Sequence, residues 1–260
     1  MSKTTIETNT VNHAVASSDR WVAERKKLLA HERELTHLRD QVARERRALP
    51  WVRIDKHYVF DTPSGPRTLA DLFEGRHQLL VQHFMFGPGW DQGCPSCSYM
   101  ADHTDGMTIH LAHRDVTFVA ISRAPLAEIE RFRRRMGWKF KWVSSNGTDF
   151  NYDFHVSFTP EDKARNEVTY NFGKQPYEHD ELPGISVFYK DDSGAVFHTY
   201  SAYRRGVEAM MGTYNMLELV PKGRDEQDDA YGMKWVRHHD RYPDAAAQSE
   251  ESQCCSAEKA

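Results

Sequence analysis

The segment Gly93-Cys94-Pro95-Ser96-Cys97 constrains this chain more than any other. It follows an apolar run, Leu79 to Phe86, and precedes residues with helical spacing that begin at Pro95. A buried strand that ends in C-x-x-C and passes into a helix is the geometry of thiol–disulfide exchange. The helix start places unpaired N–H groups and a partial positive charge beside the first sulfur. That favours the thiolate, the reactive form of cysteine. Pro95 suits the first helical position, where its missing N–H would be unpaired in any case. Cys97, one turn on, is within reach of Cys94.

The chain has four cysteines in 260 residues, and Cys254 and Cys255 fall in a polar tail. Cys94 and Cys97 are therefore the only pair in the foldable body. A secreted disulfide scaffold would carry more cysteines in a shorter chain. Residues 1–20 contain no apolar signal-peptide core, and no run is long enough for a membrane span. The expectation is a cytoplasmic protein. In that reducing setting a C-x-x-C is catalytic or metal-binding more often than structural. A net charge of −4 gives no general case for nucleic acid or membrane binding, and neither is expected as a partner.

Residues 1–18 and 244–260 are polar and read as disordered ends. Residues 19–49 read as one amphipathic helix with Asp19 as N-cap and Pro50 as stop. Its stripe, Trp21, Leu28, Leu35, Val42 and Leu49, recurs every seven residues, with Leu38 alongside. Glu24, His31 and Glu45 are poor coiled-coil seam residues, so the helix is expected to lie on the domain or across a homodimer interface. Residues 50–243 form the domain. Short strands over 51–61 lead to a turn at Ser64-Gly65-Pro66 and a short helix at Leu69–Phe73. A buried strand at Leu79–Phe86 precedes one helix over 95–113. A second buried strand follows at Val116–Ile121, then a helix from Pro125 to Met136-Gly137. Trp138, Phe140 and Trp142 alternate with lysines as a strand does. Residues 148–166 read as irregular, Val168–Phe172 as a strand, and Ile185–Tyr200 as a hairpin turning at Asp191–Gly194. A last helix is expected at 206–219. A strand–helix–strand unit gives a right-handed parallel pair, and the hairpin adds antiparallel strands. This is the thioredoxin arrangement: a mixed α/β sheet flanked by helices, with the N-terminal helix and an insertion near 138–182.

Several blocks in order carry a resemblance: Phe84-Met85-Phe86 through Cys97-Ser98, Ile121 to Leu126, Met136-Gly137-Trp138, Asp149-Phe150-Asn151 and Phe197 to Ser201. Over roughly residues 20–242 the chain resembles one bacterial family, catalogued as a domain of unknown function and described as predicted dithiol–disulfide oxidoreductases of the thioredoxin superfamily. The resemblance implies a thioredoxin-like fold and a redox-active dithiol. Thioredoxins and glutaredoxins set a cis-proline before the antiparallel strand, facing the dithiol. Here that position falls near Ser186, with Pro183 three residues earlier.

The expected function is dithiol–disulfide exchange without a cofactor, Cys94 attacking a disulfide and Cys97 resolving the mixed disulfide. The substrate, a thiol or disulfide, is not named by the sequence. The alternatives are a non-catalytic binding or zinc module on the same fold, and a thiol peroxidase. Structural zinc usually needs a second ligand pair, and none follows in the body. His103 lies about 9 Å along the helix from Cys97 and His110 about 20 Å, so they cannot join the cysteines in one site. With His113 they read as the polar border of a packed helix. His83 or His155 could supply ligands from elsewhere. No metal site is assigned. Three substrate-binding candidates fall at the same sheet edge. Trp90 precedes the cysteines in the loop, where it would shield the sulfur or simply pack on the domain. Arg123 ends the neighbouring parallel strand, where it would favour the Cys94 thiolate, hold a substrate carboxylate, or sit on the surface. Ser186 takes the cis-proline position. Cys254-Cys255 read as a tail thiol pair without function, with soft-metal binding and mixed disulfides as alternatives.

Overall fold

A computed structural model describes residues 13–226 and 232–243. The expected disorder at 1–12 and 244–260, and Cys254-Cys255, lie outside the described residues. The chain divides into two units, residues 1–49 and 50–260.

The first unit is helix α1, Ser18–Arg47. Its N-cap is Ser17, whose hydroxyl accepts from the Arg20 N–H at 3.4 Å. The sequence suggests Asp19, which instead sits in the first turn, where a carboxylate faces the positive end of the helix. No residue of α1 is buried, and the stripe is exposed, from 61% at Trp21 to 41% at Val42.

The second unit is built on a six-stranded sheet of order β1-β10-β9-β4-β5-β6. Strand β4, Gln78–His83, runs parallel to β5, Val116–Ser122, which runs parallel to β6, Lys141–Ser144. On the other side β4 pairs antiparallel with β9, Gly184–Lys190, and β9 with β10, Val196–Tyr203. Strand β1, Val52–Arg53, closes that edge. Two small hairpins stand apart: β2, Val59–Phe60, with β3, Arg67–Thr68, and β7, Val168–Tyr170, with β8, Gly173–Gln175. Parallel strands linked by helices, followed by an antiparallel pair, make the sheet thioredoxin-like. The stretch read as an insertion begins with β6, an integral edge strand.

Alternation along the strands divides the core. Val81, Val119, Ile121, Val143 and Phe188 point to one face, where Phe60, Phe73, Phe150 and Phe154 cover them. Phe118, Ala120 and Trp142 point to the other, beneath helices α2, Pro95–Ala101, and α4, Leu126–Arg135. Because both faces are covered, β5 reads as a largely apolar run rather than an alternating one.

The single helix expected over 95–113 is two, α2 and α3, Asp105–Ala112. Side-chain chemistry breaks it. The Asp102 carboxylate accepts the Trp138 indole N–H at 2.8 Å, and Asp105 accepts the backbone N–H groups of Lys139 and Phe140. Those bonds tie the break to the segment entering β6. The region expected to be irregular, 148–166, holds two short helices, α5, Phe150–Asp153, and α6, Pro160–Arg165. Helix α6 begins with a capping box between Thr159 and Asp162. After β10 the chain turns through a 3-10 segment, Arg204–Met210, into α7, Gly212–Leu217, in place of the one helix expected over 206–219. Among the described residues no helix is long and apolar enough to cross a membrane.

Candidate active site

The site is built where β4 ends. The chain leaves the sheet at His83 and returns to the start of α2 through Gly93. A side chain at Gly93 would meet Phe84 Cε1 at 2.6 Å and Phe132 Cε1 at 2.9 Å, so only glycine fits. The peptide joining Gly93 to Cys94 is held at both ends. Its N–H donates to the Met85 carbonyl at 3.0 Å. Its carbonyl accepts from His238 Nε2 at 2.8 Å. His238 is buried, which lowers its pKa, and its Nδ1 lies 3.4 Å from Arg135 Nη2. The arginine donates there, so the imidazole is neutral with its proton on Nε2, facing Gly93.

Cys94 is the N-cap residue of α2 and Pro95 its first helical residue, as the sequence predicts. The Cys94 carbonyl accepts both the backbone N–H and the hydroxyl of Ser98, each at 2.9 Å, which fixes the first turn. Cys97 is 2% exposed. Its sulfur accepts the Met85 N–H at 3.4 Å, and its carbonyl accepts from Gln82 Nε2 at 3.2 Å. Both thiols are free, the two cysteines are 4.0 Å apart, and Cys94 is the more exposed.

Their acidities diverge. The Cys94 thiolate accepts a hydrogen bond from the Cys97 thiol, with further support from the backbone N–H groups of Cys97 and Ser96 and the Ser96 hydroxyl. These outweigh desolvation and bring the Cys94 pKa down to about 7. Cys97 moves well above the ordinary thiol value, because it donates to Cys94, is buried, and faces the Cys94 charge.

The pair opens onto a cleft of about 890 Å³, lined among others by Cys94, Cys97, Met85, Met100, Pro183 and Met211. Among the described residues no three His, Cys, Asp or Glu side chains converge as a metal-ligand group. His83 lies on the sheet face away from α2, stacked on Phe154, and burial pushes its pKa down to about 3. His103 pairs with Thr213, while His110 and His113 are exposed.

Trp90 is half-buried, its indole against Gly87, where an added Cβ would meet it at 3.0 Å and Glu181 Cγ at 3.5 Å. Arg123 donates through Nε to Glu181 Oε1 at 2.7 Å and lies 4.8 Å from the centre of the Tyr152 ring. Glu181 is 2% exposed, and its other oxygen accepts from Ser157. Arg123 therefore holds Glu181, which lies against Gly87 as Trp90 does. Ser186 is fully buried on β9, its hydroxyl bonded to His83 Nε2 and to Ser201 Oγ, both at 2.7 Å. Its neighbour Ile185 faces Met100 and Tyr99 of α2, so alternation turns Ser186 to the opposite face of the sheet. From that segment Pro183 lines the cleft. Sequence reasoning missed Gln82, Met85, Ser96 and His238. Met85 and Ser96 sit inside the motif blocks, but no local pattern points to Gln82 or His238.

The fold is a thioredoxin-like domain, with two free cysteines 4.0 Å apart at a helix start. The chain belongs to the family described as "Bacterial protein of unknown function (DUF899)", which matches residues 10–242. No curated protein matches it. Among solved structures it is similar to the peroxidoxin BcpB of Mycobacterium tuberculosis, at 14% identity and TM-score 0.41, covering 63% of this chain and 90% of that one. It is also similar to a cysteine-to-serine mutant of Xanthomonas campestris peroxiredoxin Q, at 12% identity and TM-score 0.41, covering 62% and 90%. A yeast mitochondrial 1-Cys peroxiredoxin matches at 14% identity and TM-score 0.37, covering 65% and 78%. Likeness at that level carries no information about chemistry.

Proposed function

We propose that the protein is a dithiol–disulfide oxidoreductase with Cys94 as nucleophile and Cys97 as resolving thiol. One observation carries the reading: two free cysteines lie 4.0 Å apart at a helix start, the more exposed one on an open cleft and its partner buried behind it, an arrangement that lowers the pKa of the outer sulfur. A thiolate populated near neutral pH can attack without a separate base.

In the first step the Cys94 thiolate attacks one sulfur of a substrate disulfide. A Cys94–substrate disulfide forms, the substrate S–S bond breaks, and its electron pair leaves on the departing thiolate. In the second step Cys97 gives its proton to a thiolate leaving group and attacks Cys94. The protein disulfide forms and the second substrate thiolate leaves. The net change is one disulfide reduced to two thiols and one dithiol oxidised. Forming the mixed disulfide removes the Cys94 charge and the acceptor of the Cys97 hydrogen bond. Both had raised the Cys97 pKa, so the resolving thiol becomes easier to ionise when it is needed.

The test is redox titration of the purified chain with mass-spectrometric trapping, together with Cys94→Ser and Cys97→Ser. A single two-electron couple, loss of disulfide reduction in Cys94→Ser and accumulation of mixed disulfide in Cys97→Ser are expected. About one zinc per chain after purification under reducing conditions would instead favour a metal module. Peroxide turnover without disulfide turnover would favour a peroxidase.

A further inference from the structure

The cleft beside the dithiol has an apolar floor and a charged rim. Met85, Met100 and Met211 line the floor, and methionine side chains adapt to flexible apolar ligands. The rim carries three arginines, Arg204, Arg205 and Arg224, and three glutamates, Glu208, Glu218 and Glu226. Most of this charge is paired within the protein. Arg224 pairs with Glu208 at 3.0 Å and Glu218 at 2.6 Å, and Arg205 with Glu208 at 2.9 Å. One oxygen of Glu226 accepts from Tyr214, Trp235 and the Met233 N–H.

Arg204 differs. Among the described residues its guanidinium has no carboxylate partner. It donates to the neutral amide of Gln175 and lies 5.7 Å from the centre of the Tyr170 ring. Its backbone is in the left-handed region, φ 48°, uncommon for a residue with a side chain. That conformation is held in place: the Arg204 N–H donates to Tyr170 Oη at 3.2 Å, and Tyr170 donates to the Pro183 carbonyl at 2.6 Å. Pro183 lines the cleft with the cysteines. Backbone strain of this kind persists where surrounding contacts enforce it, and it gathers at ligand sites. Here it sets on the wall of the cleft that holds the reactive sulfur a cation with no carboxylate partner among the described residues.

We infer that Arg204 is a specificity-determining residue and that the substrate is a small disulfide carrying a carboxylate on a flexible arm. The inference rests on the dithiol–disulfide reading above. The carboxylate accepts from the free guanidinium N–H groups, the arm covers the methionine floor, and Cys94 attacks the disulfide sulfur. That attack forms the mixed disulfide and expels the other half as its thiolate. Arginine and glutamate are equal in number on the rim, so selection is local to Arg204 rather than steering by a net field.

The experiment uses the full chain with Cys97→Ser, which stops at the mixed disulfide. Mass spectrometry measures its rate of formation on Cys94 with three probes: glutathione disulfide, which is anionic, bis(2-hydroxyethyl) disulfide, which is neutral, and cystamine, which is cationic. Glutathione disulfide should react fastest and cystamine slowest. Arg204→Gln should lower the glutathione-to-hydroxyethyl rate ratio about fivefold, with Arg204→Lys intermediate because it keeps the charge but not the fork. Raising salt should lower the same ratio without any change at position 204. That measurement stands if the substituted chains do not fold. A ratio indifferent to salt or to Arg204→Gln, or a preference for cystamine, overturns the inference while the dithiol reading stands. Mixed disulfide with none of the three probes overturns both.

Discussion

Replacing Cys97 by alanine separates the two sources of Cys94 activation. The largest influence on Cys94 is the hydrogen bond from the Cys97 thiol, while the Ser96 and Cys97 backbone N–H groups act in the same direction. Alanine removes the first and keeps the second. A hydrogen bond to a charged acceptor contributes about 1.5–3 kcal/mol, or about 1–2 pKa units at 1.36 kcal/mol each. The Cys94 midpoint should move from about 7 to about 8–9. The assay is the rate of first attack on a neutral dipyridyl disulfide between about pH 6 and about pH 9.5. At pH 6, a sulfur of pKa near 7 is about 10% thiolate and one near 8.5 about 0.3%, a roughly thirtyfold difference. The more basic thiolate is intrinsically about fivefold more nucleophilic at a Brønsted slope near 0.45. The variant should therefore be about sixfold slower at pH 6 and, once both are ionised, about fivefold faster. The two pH profiles must cross. Cys97→Ser, whose hydroxyl still donates, should fall between them. Parallel profiles would refute the reasoning and leave the helix start as the source of activation, and a wild-type midpoint at the ordinary value of about 8.5 would mean that Cys94 is not activated at all.

Other outcomes follow from the same contacts. Gly93→Ala places a methyl 2.6 Å from Phe84 Cε1. It should destabilise the domain by about 1–3 kcal/mol in a denaturant titration and slow Cys94 alkylation. His238→Ala leaves the Gly93 carbonyl without its donor and should lower stability by about 1–3 kcal/mol. It should also broaden the distribution of Cys94 reactivity, whereas His238→Gln, which can still donate, should restore much of both. Arg123→Ala strands Glu181, which is 2% exposed. It should destabilise by up to about 3 kcal/mol, and Arg123→Ala with Glu181→Gln should recover part of that loss in thermal melts. Deleting residues 1–49 removes a helix whose apolar stripe is exposed along its length. It should change the mass in solution, measured by light scattering, or lower solubility. Unchanged mass and melting temperature would defeat that expectation.

What the sequence made legible were features declared by their own neighbours. The glycine and proline around Cys94 and the Asp191–Gly194 turn act over a few residues, and each stands where the spacing puts it; the β4 run is there too, but the strand ends at His83 rather than Phe86. Features decided by distant partners were not legible. The apolar spacing of α2 continues into α3, so nothing local announces that Asp102 will bind Trp138 and break the helix. Ser17 and Asp19 are both good caps, and only the realised bond to Arg20 selects between them. On β9 both faces are covered: Ile185 packs toward α2 and Phe188 toward the opposite core. Alternation could not say which way Ser186 turns, because apolar residues lie on both sides of it. Arg123 stands at the expected strand end, yet its charge meets Glu181, a residue outside every motif block.

The bond between His238 and Gly93 spans 145 residues. A chain made from its N-terminus has both cysteines in hand long before it has the imidazole that clamps the peptide ahead of Cys94. Until then Cys94 is a thiol on an untethered loop, free to pair with whatever it meets. The clamp makes the last part of the domain to be synthesised the part that fixes the reactive sulfur. A nascent chain stalled before residue 238 should therefore carry a Cys94 closer to an ordinary cysteine in acidity.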